Sequence, residues 1–136
     1  VYKGDKKNLS DTVNWKLATE KFEKTKQRID GQFPDEKSSE VLKESLQKIM
    51  LLCKANNIEL VGIKFPLATE FLKQLGKKSF HADSVFIKSN LPVLDYKYLY
   101  INEDQYFSNQ DHLNDTGANL FIKKFIADNN IKKQAE

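Results

Sequence analysis

Apolar residues recur along this chain first in helical and then in strand-like rhythm. From Asp11 to about Ile29, Trp15, Ala18, Phe22 and Ile29 return at steps of three, four and seven. That spacing predicts an amphipathic helix with one buried stripe and a face of lysine and glutamate opposite it. Gly31 and then Pro34 end it. A second helix is expected from Ser38 or Ser39, either of which can cap it, to about Asn56. Leu42, Leu46, Ile49, Met50 and Cys53 form its apolar stripe, and Asn56-Asn57 suits a left-handed helix end. Ile58 to Phe65, IELVGIKF, is short and rich in branched residues, which predicts a largely buried strand closed by Pro66. Helix, two-residue turn and strand together make half of a parallel α/β unit.

Leu67 to Leu75 reads as a short helix, Gly76-Lys77-Lys78 as a break, and Phe80 to Ser89 as helical again. Leu91 to Asp95, LPVLD, is the second strand. It places Asp95 at a carboxyl end, where open α/β sheets gather ligands. Tyr96, Tyr98 and Tyr100 alternate as in a half-buried extended segment, and packing accounts for them better than substrate stacking. A polar loop from Ser108 to Asp111 then carries His112 to the mouth of a closing helix, whose face bears Ala118, Phe121, Ile122 and Phe125. Asn114 is the expected N-cap, Asp115 suits the positive end of the helix dipole, and Gly117 suggests a backbone packed close by. Residues 1–10, with Gly4, Asn8 and Ser10, read as a polar loop. The pattern implies an α/β fold with a short parallel sheet.

Composition narrows the function classes. At 136 residues, one domain able to bury a core is expected, and 40% hydrophobic with 30% charged residues is globular composition. A net charge of +3, with lysines and acids interspersed, gives no reason to propose nucleic acid. Cys53 is the single cysteine, which excludes an intrachain disulfide, and it reads as a small buried hydrophobe. No apolar run reaches the roughly 18 residues of a membrane span, and no signal peptide is visible. The chain starts at Val1 without methionine, so it is expected to be a mature product or a piece of something longer. His81 lacks chemical context and reads as a surface or helix-end residue. Two distant histidines and one cysteine offer no metal cluster, and no cofactor is implied.

The run Asp-His-Leu-Asn-x-x-Gly-Ala-x-x-Phe, Asp111 to Phe121, resembles the last conserved block of the SGNH (GDSL-type) hydrolase and acyltransferase superfamily. Its look is nearest to the bacterial branches that transfer D-alanine to teichoic acids or O-acetylate alginate. By layout the likeness covers residues 38–128, and residues 1–37, a loop and a helix, are unassigned. The resemblance implies a partial three-layer α/β/α, flavodoxin-like fold over residues 38–136, with His112 as the catalytic histidine. The acid of that family lies three residues before the histidine, and Asn109 stands there instead.

A serine esterase needs a nucleophilic hydroxyl, a histidine to take its proton, a group orienting that histidine and donors for the oxyanion. The family's Gly-Asp-Ser and Gly-x-Asn-Asp blocks are absent: Gly4-Asp5 is followed by Lys6. A nucleophile supplied by an upstream half or a partner chain is therefore expected. For the orienting group, Asn109 ranks first through its carbonyl oxygen. Asp111 comes second, adjacent but expected to point elsewhere, and Asp95 third. The resemblance implies an acyl-ester hydrolase or transferase of the bacterial cell envelope, extracytoplasmic and with glycans among its candidate substrates, any membrane contact being made through absent segments. The competing expectation is a non-catalytic binding or scaffold domain that keeps the fold.

Overall fold

The computed structural model describes residues 16–34 and 40–129, and within them five α-helices alternate with two small sheets. The first helix, α1, spans Ala18–Gln32. It runs through Gly31, and the Phe33 amide closes it on the Ile29 carbonyl just before Pro34. The expected stripe is buried in part, at Ile29 and at Thr25 on the same face. Phe22 is mainly exposed. The reason is the docking of α1 across a third helix, α3 (Thr69–Leu75), where the Gln74 amide donates to the Phe22 carbonyl at 3.1 Å. Trp15, the start expected at Asp11 and the loop of residues 1–10 lie outside the described residues.

Helix α2 spans Glu40–Ala55 and buries none of its residues. Leu46, Met50 and Cys53 are half-buried, so Cys53 is less enclosed than expected, and Leu42 and Ile49 stand exposed. The candidate caps Ser38 and Ser39 lie outside the described residues. Asn57 takes the left-handed conformation, φ 54°, that the Asn-Asn pair suggested.

Of the strand expected over residues 58–65, only β1, Gly62–Lys64, enters a ladder. It pairs in parallel with β2, Val93–Asp95, in the register Gly62 to Val93, Ile63 to Leu94 and Lys64 to Asp95. A parallel pair needs a long crossover, and α3 with α4 (Ala82–Lys88) supplies it. The rest of the expected strand is not buried: Ile58, Val61 and Phe65 are exposed, because among the described residues this sheet has two strands. Gly62 lies under the Phe86 ring, where an added Cβ would stand 3.2 Å from it.

Residues 97–102 form a run of turns rather than the alternating extended segment. The Leu99 amide bonds the Tyr96 carbonyl at 2.9 Å, which leaves Tyr98 in solvent and Tyr100 buried. A 3₁₀ turn, Asp104–Tyr106, leads into an antiparallel hairpin of β3 (Phe107–Asn109) and β4 (His112–Leu113), and α5 (Asp115–Asp128) follows. The core gathers here. Ala68, Tyr100, Phe107 and Phe121 are buried, with Ile63, Tyr96, Leu99, Tyr106, Leu113 and Phe125 around them. Tyr96 meets Phe121 edge-on with ring centroids 5.3 Å apart. The architecture is mixed α/β, with a short parallel sheet and a small antiparallel one. Among the described residues no helix is long and apolar enough to cross a membrane.

Candidate functional site

The sequence Asn109-Gln110-Asp111 makes the tip of the hairpin, and each residue has a local reason to be there. The Asn109 side-chain oxygen accepts from the Asp111 amide at 3.2 Å, the Asx turn that asparagine favours. Gln110 is buried, and its carbonyl accepts from the Ala68 amide at 2.9 Å, which ties the tip to the start of α3. His112 follows in β4, so the expected polar loop is a hairpin with a register irregularity between Phe107 and Asn109.

The base of the hairpin is fixed by Asn114. Its side-chain oxygen caps α5 by accepting from the Gly117 amide at 2.9 Å, while its Nδ2 donates to the Gln105 carbonyl at 2.6 Å. Its own amide donates to the Tyr106 carbonyl at 2.9 Å. Gly117 is required for the approach of α5, because a Cβ there would collide with the Tyr106 carbonyl oxygen. Both sequence expectations for this segment, the Asn114 cap and a backbone packed on Gly117, hold.

The polar contacts of His112 fall on Nδ1. Asn109 Oδ1 is 2.9 Å away, Asp111 Oδ1 3.1 Å and an Arg28 terminal nitrogen 3.2 Å. The Asx turn identifies the Asn109 atom as oxygen, so the two nearer neighbours are acceptors and the third is a donor. The two acceptors favour a proton on Nδ1, which leaves the Nε2 lone pair available as a base. The imidazole remains 64% exposed. Beside it, Phe65, Pro66, Leu113, Ala118, Phe121 and Ile122 line an apolar cleft of about 460 Å³.

Asp111, expected to point elsewhere, faces the ring and is far less exposed, at 12%. Arg28 Nε donates to its Oδ1 and Gln32 Nε2 to its Oδ2, each at 2.5 Å. Burial pushes the Asp111 carboxyl up. The hydrogen bonds from Arg28 and Gln32 and the neighbouring positive charge outweigh it and hold the group below the ordinary carboxylate range.

Asp95 lies elsewhere. Its carboxylate sits 3.6 Å from Lys64 Nζ and 3.4 Å from Lys97 Nζ, beside the Lys64–Asp83 ion pair. That pair raises the Lys64 ammonium, through the Asp83 hydrogen bond first and against the opposing effect of burial. The structure therefore brings His112, Asn109 and Asp111 together and engages Asp95 with lysines. His81 is the exposed residue preceding α4, at φ 56°.

Sequence reasoning missed Arg28 and Gln32. The signal available was their spacing: Lys21, Arg28 and Gln32 fall on one face of α1, and Lys21 is itself ion-paired with Asp104 across the same seam. Among the described residues no cluster of three or more His, Cys, Asp or Glu is placed to hold a metal ion. No family model, curated protein or solved structure matches this chain.

Proposed function

We propose that this chain is the histidine-bearing part of an SGNH-like esterase or O-acyltransferase, in which His112 serves as general base and then general acid. The single observation that carries this reading is an exposed imidazole with acceptors at 2.9 and 3.1 Å from Nδ1 and an apolar cleft alongside. A base built that way takes the proton of an attacking hydroxyl at Nε2. It then returns that proton to the oxygen of the departing alcohol, so the ring ends each acyl transfer neutral. The hydroxyl comes from an upstream half or a partner chain, since this sequence has no Gly-Asp-Ser block.

In this reading the parallel pair β1–β2 and the helices around it are one flank of a three-layer, flavodoxin-like sheet, and the substrate is an acyl ester, in the first instance on a cell-envelope glycan outside the cytoplasm. The test is to supply a nucleophile-bearing half and assay a chromogenic acetyl ester. Activity is expected to be lost in His112→Ala, and full activity in that variant sinks the reading. The 136-residue chain alone is expected to be inactive.

A second reading, a non-catalytic scaffold or binding domain, is favoured by Asn109 at the family's acid position and by the lack of a Gly-Asp-Ser block in this sequence. A Gly-Asp-Ser block encoded upstream of Val1 supports the enzyme over the scaffold.

A further inference from the structure

A base at Nε2 requires the proton to stay on Nδ1. Asn109 offers an acceptor without charge, and a carboxylate at a hairpin tip would ordinarily turn out to water. Asp111 has no such freedom. Arg28 holds one of its oxygens and Gln32 the other, from positions one turn apart on α1, and the Arg28-bound oxygen is the one that faces the ring.

We propose that Arg28 and Gln32 are positioning residues for His112: they aim the Asp111 carboxylate at Nδ1, where it takes the place of the acid that Asn109 does not supply. The functional meaning rests on the acyl-transfer reading above, but the geometry can be tested without substrate. Among the described residues the charged groups in contact with the ring are Asp111 and Arg28. They pull in opposite senses. The carboxylate stabilises Nδ1–H, whereas a direct bond from the guanidinium to Nδ1 needs a lone pair there and drives the proton to Nε2. The shorter Arg28 contact goes to Asp111, at 2.5 Å against 3.2 Å, so Arg28 acts through the carboxylate.

The experiment is ring ¹⁵N NMR of the full chain at a pH where both imidazoles are neutral. His81, the other histidine, serves as an internal reference. At His112 the Nδ1–H form is expected to exceed Nε2–H about tenfold, the ratio a charge-assisted hydrogen bond sustains. Arg28→Ala and Gln32→Ala should each lower that ratio while His81 stays unchanged, and Arg28→Lys should restore it in part. Nε2–H dominant in the unaltered protein, or a rise of Nδ1–H in Arg28→Ala, overturns the proposal. Should Arg28→Ala unfold the chain by circular dichroism, Gln32→Ala and Asp111→Asn carry the same test. The two readings fail separately. Nδ1–H dominance together with complemented ester turnover that survives His112→Ala upholds the positioning and sinks the catalysis. Nε2–H dominance with turnover lost in His112→Ala overturns the positioning alone.

Discussion

Phe107 and Leu42 are both large apolar side chains at opposite limits of enclosure, the first fully buried and the second 70% exposed. Each typifies its region. Around Phe107, aromatic rings from the turns, the hairpin and α5 close on one another, and side chains of α1 and the backbone of α3 tie the hairpin tip from outside. Around Leu42, α2 exposes Val41, Ile49, Leu51 and Leu52 as well, although its sequence is that of a core helix. The difference shows where folding free energy is concentrated. Burial of apolar area stabilises only what it encloses, so packing holds the histidine corner more firmly than α2, where Leu46, Met50 and Cys53 are only half-buried.

The sharpest way to break this comparison is a matched pair of truncations. Phe107→Ala is expected to cost about 3–5 kcal/mol, the loss of a buried aromatic plus the cavity it leaves. Leu42→Ala is expected to stay within about 0.5 kcal/mol. Urea unfolding of the two variants reads both values, and similar losses would show that α2 is covered. Next in size comes Gly117→Ala, at about 2–3 kcal/mol, because the new methyl group meets the Tyr106 backbone rather than a side chain able to turn away. An unaltered midpoint would mean that α5 and the 3₁₀ turn do not touch.

Removal of the Asp111 carboxylate sharpens the comparison through pH. Its pKa is lower folded than unfolded, so the ionised group contributes stability that is complete above its ordinary value of 3.8 and is lost as pH falls through the folded value. Asp111→Ala is therefore expected to destabilise by about 2 kcal/mol at neutral pH, the scale of charged hydrogen bonds. The gap to the unaltered protein should narrow progressively below pH 3.8. A gap independent of pH would indicate that the loss is packing alone. Smaller again is Asn114→Ala, about 1 kcal/mol for a helix cap, measured by thermal unfolding.

The histidine block was legible because its determinants are local. A cap acts three residues away, and a glycine early in a helix reports that some backbone packs close without naming which. What escaped was long-range. Arg28 and Asp111 are 83 positions apart, and nothing in a helical stripe says which distant carboxylate its polar edge will meet. On α1 the face was legible, since Ile29 is buried, but not which of its residues are enclosed: Phe22 outranks Thr25 in hydrophobicity, yet Thr25 is buried and Phe22 exposed. On α2 the periodicity gave the helix correctly and the burial wrongly, since pattern reports what a face prefers rather than what covers it.

That last distinction supplies the most delicate test. Leu42 and Leu52 of α2 are both exposed, and exposed apolar surface promotes association. The double variant Leu42→Lys, Leu52→Lys is expected to change unfolding free energy by no more than about 0.5 kcal/mol while lowering concentration-dependent light scattering. Stability and association would then separate, as they should where apolar side chains stand exposed. A loss above about 2 kcal/mol is the signature of charge forced into a packed interior. It would mean that another part of the chain lies over α2, and the contrast with the histidine corner would vanish.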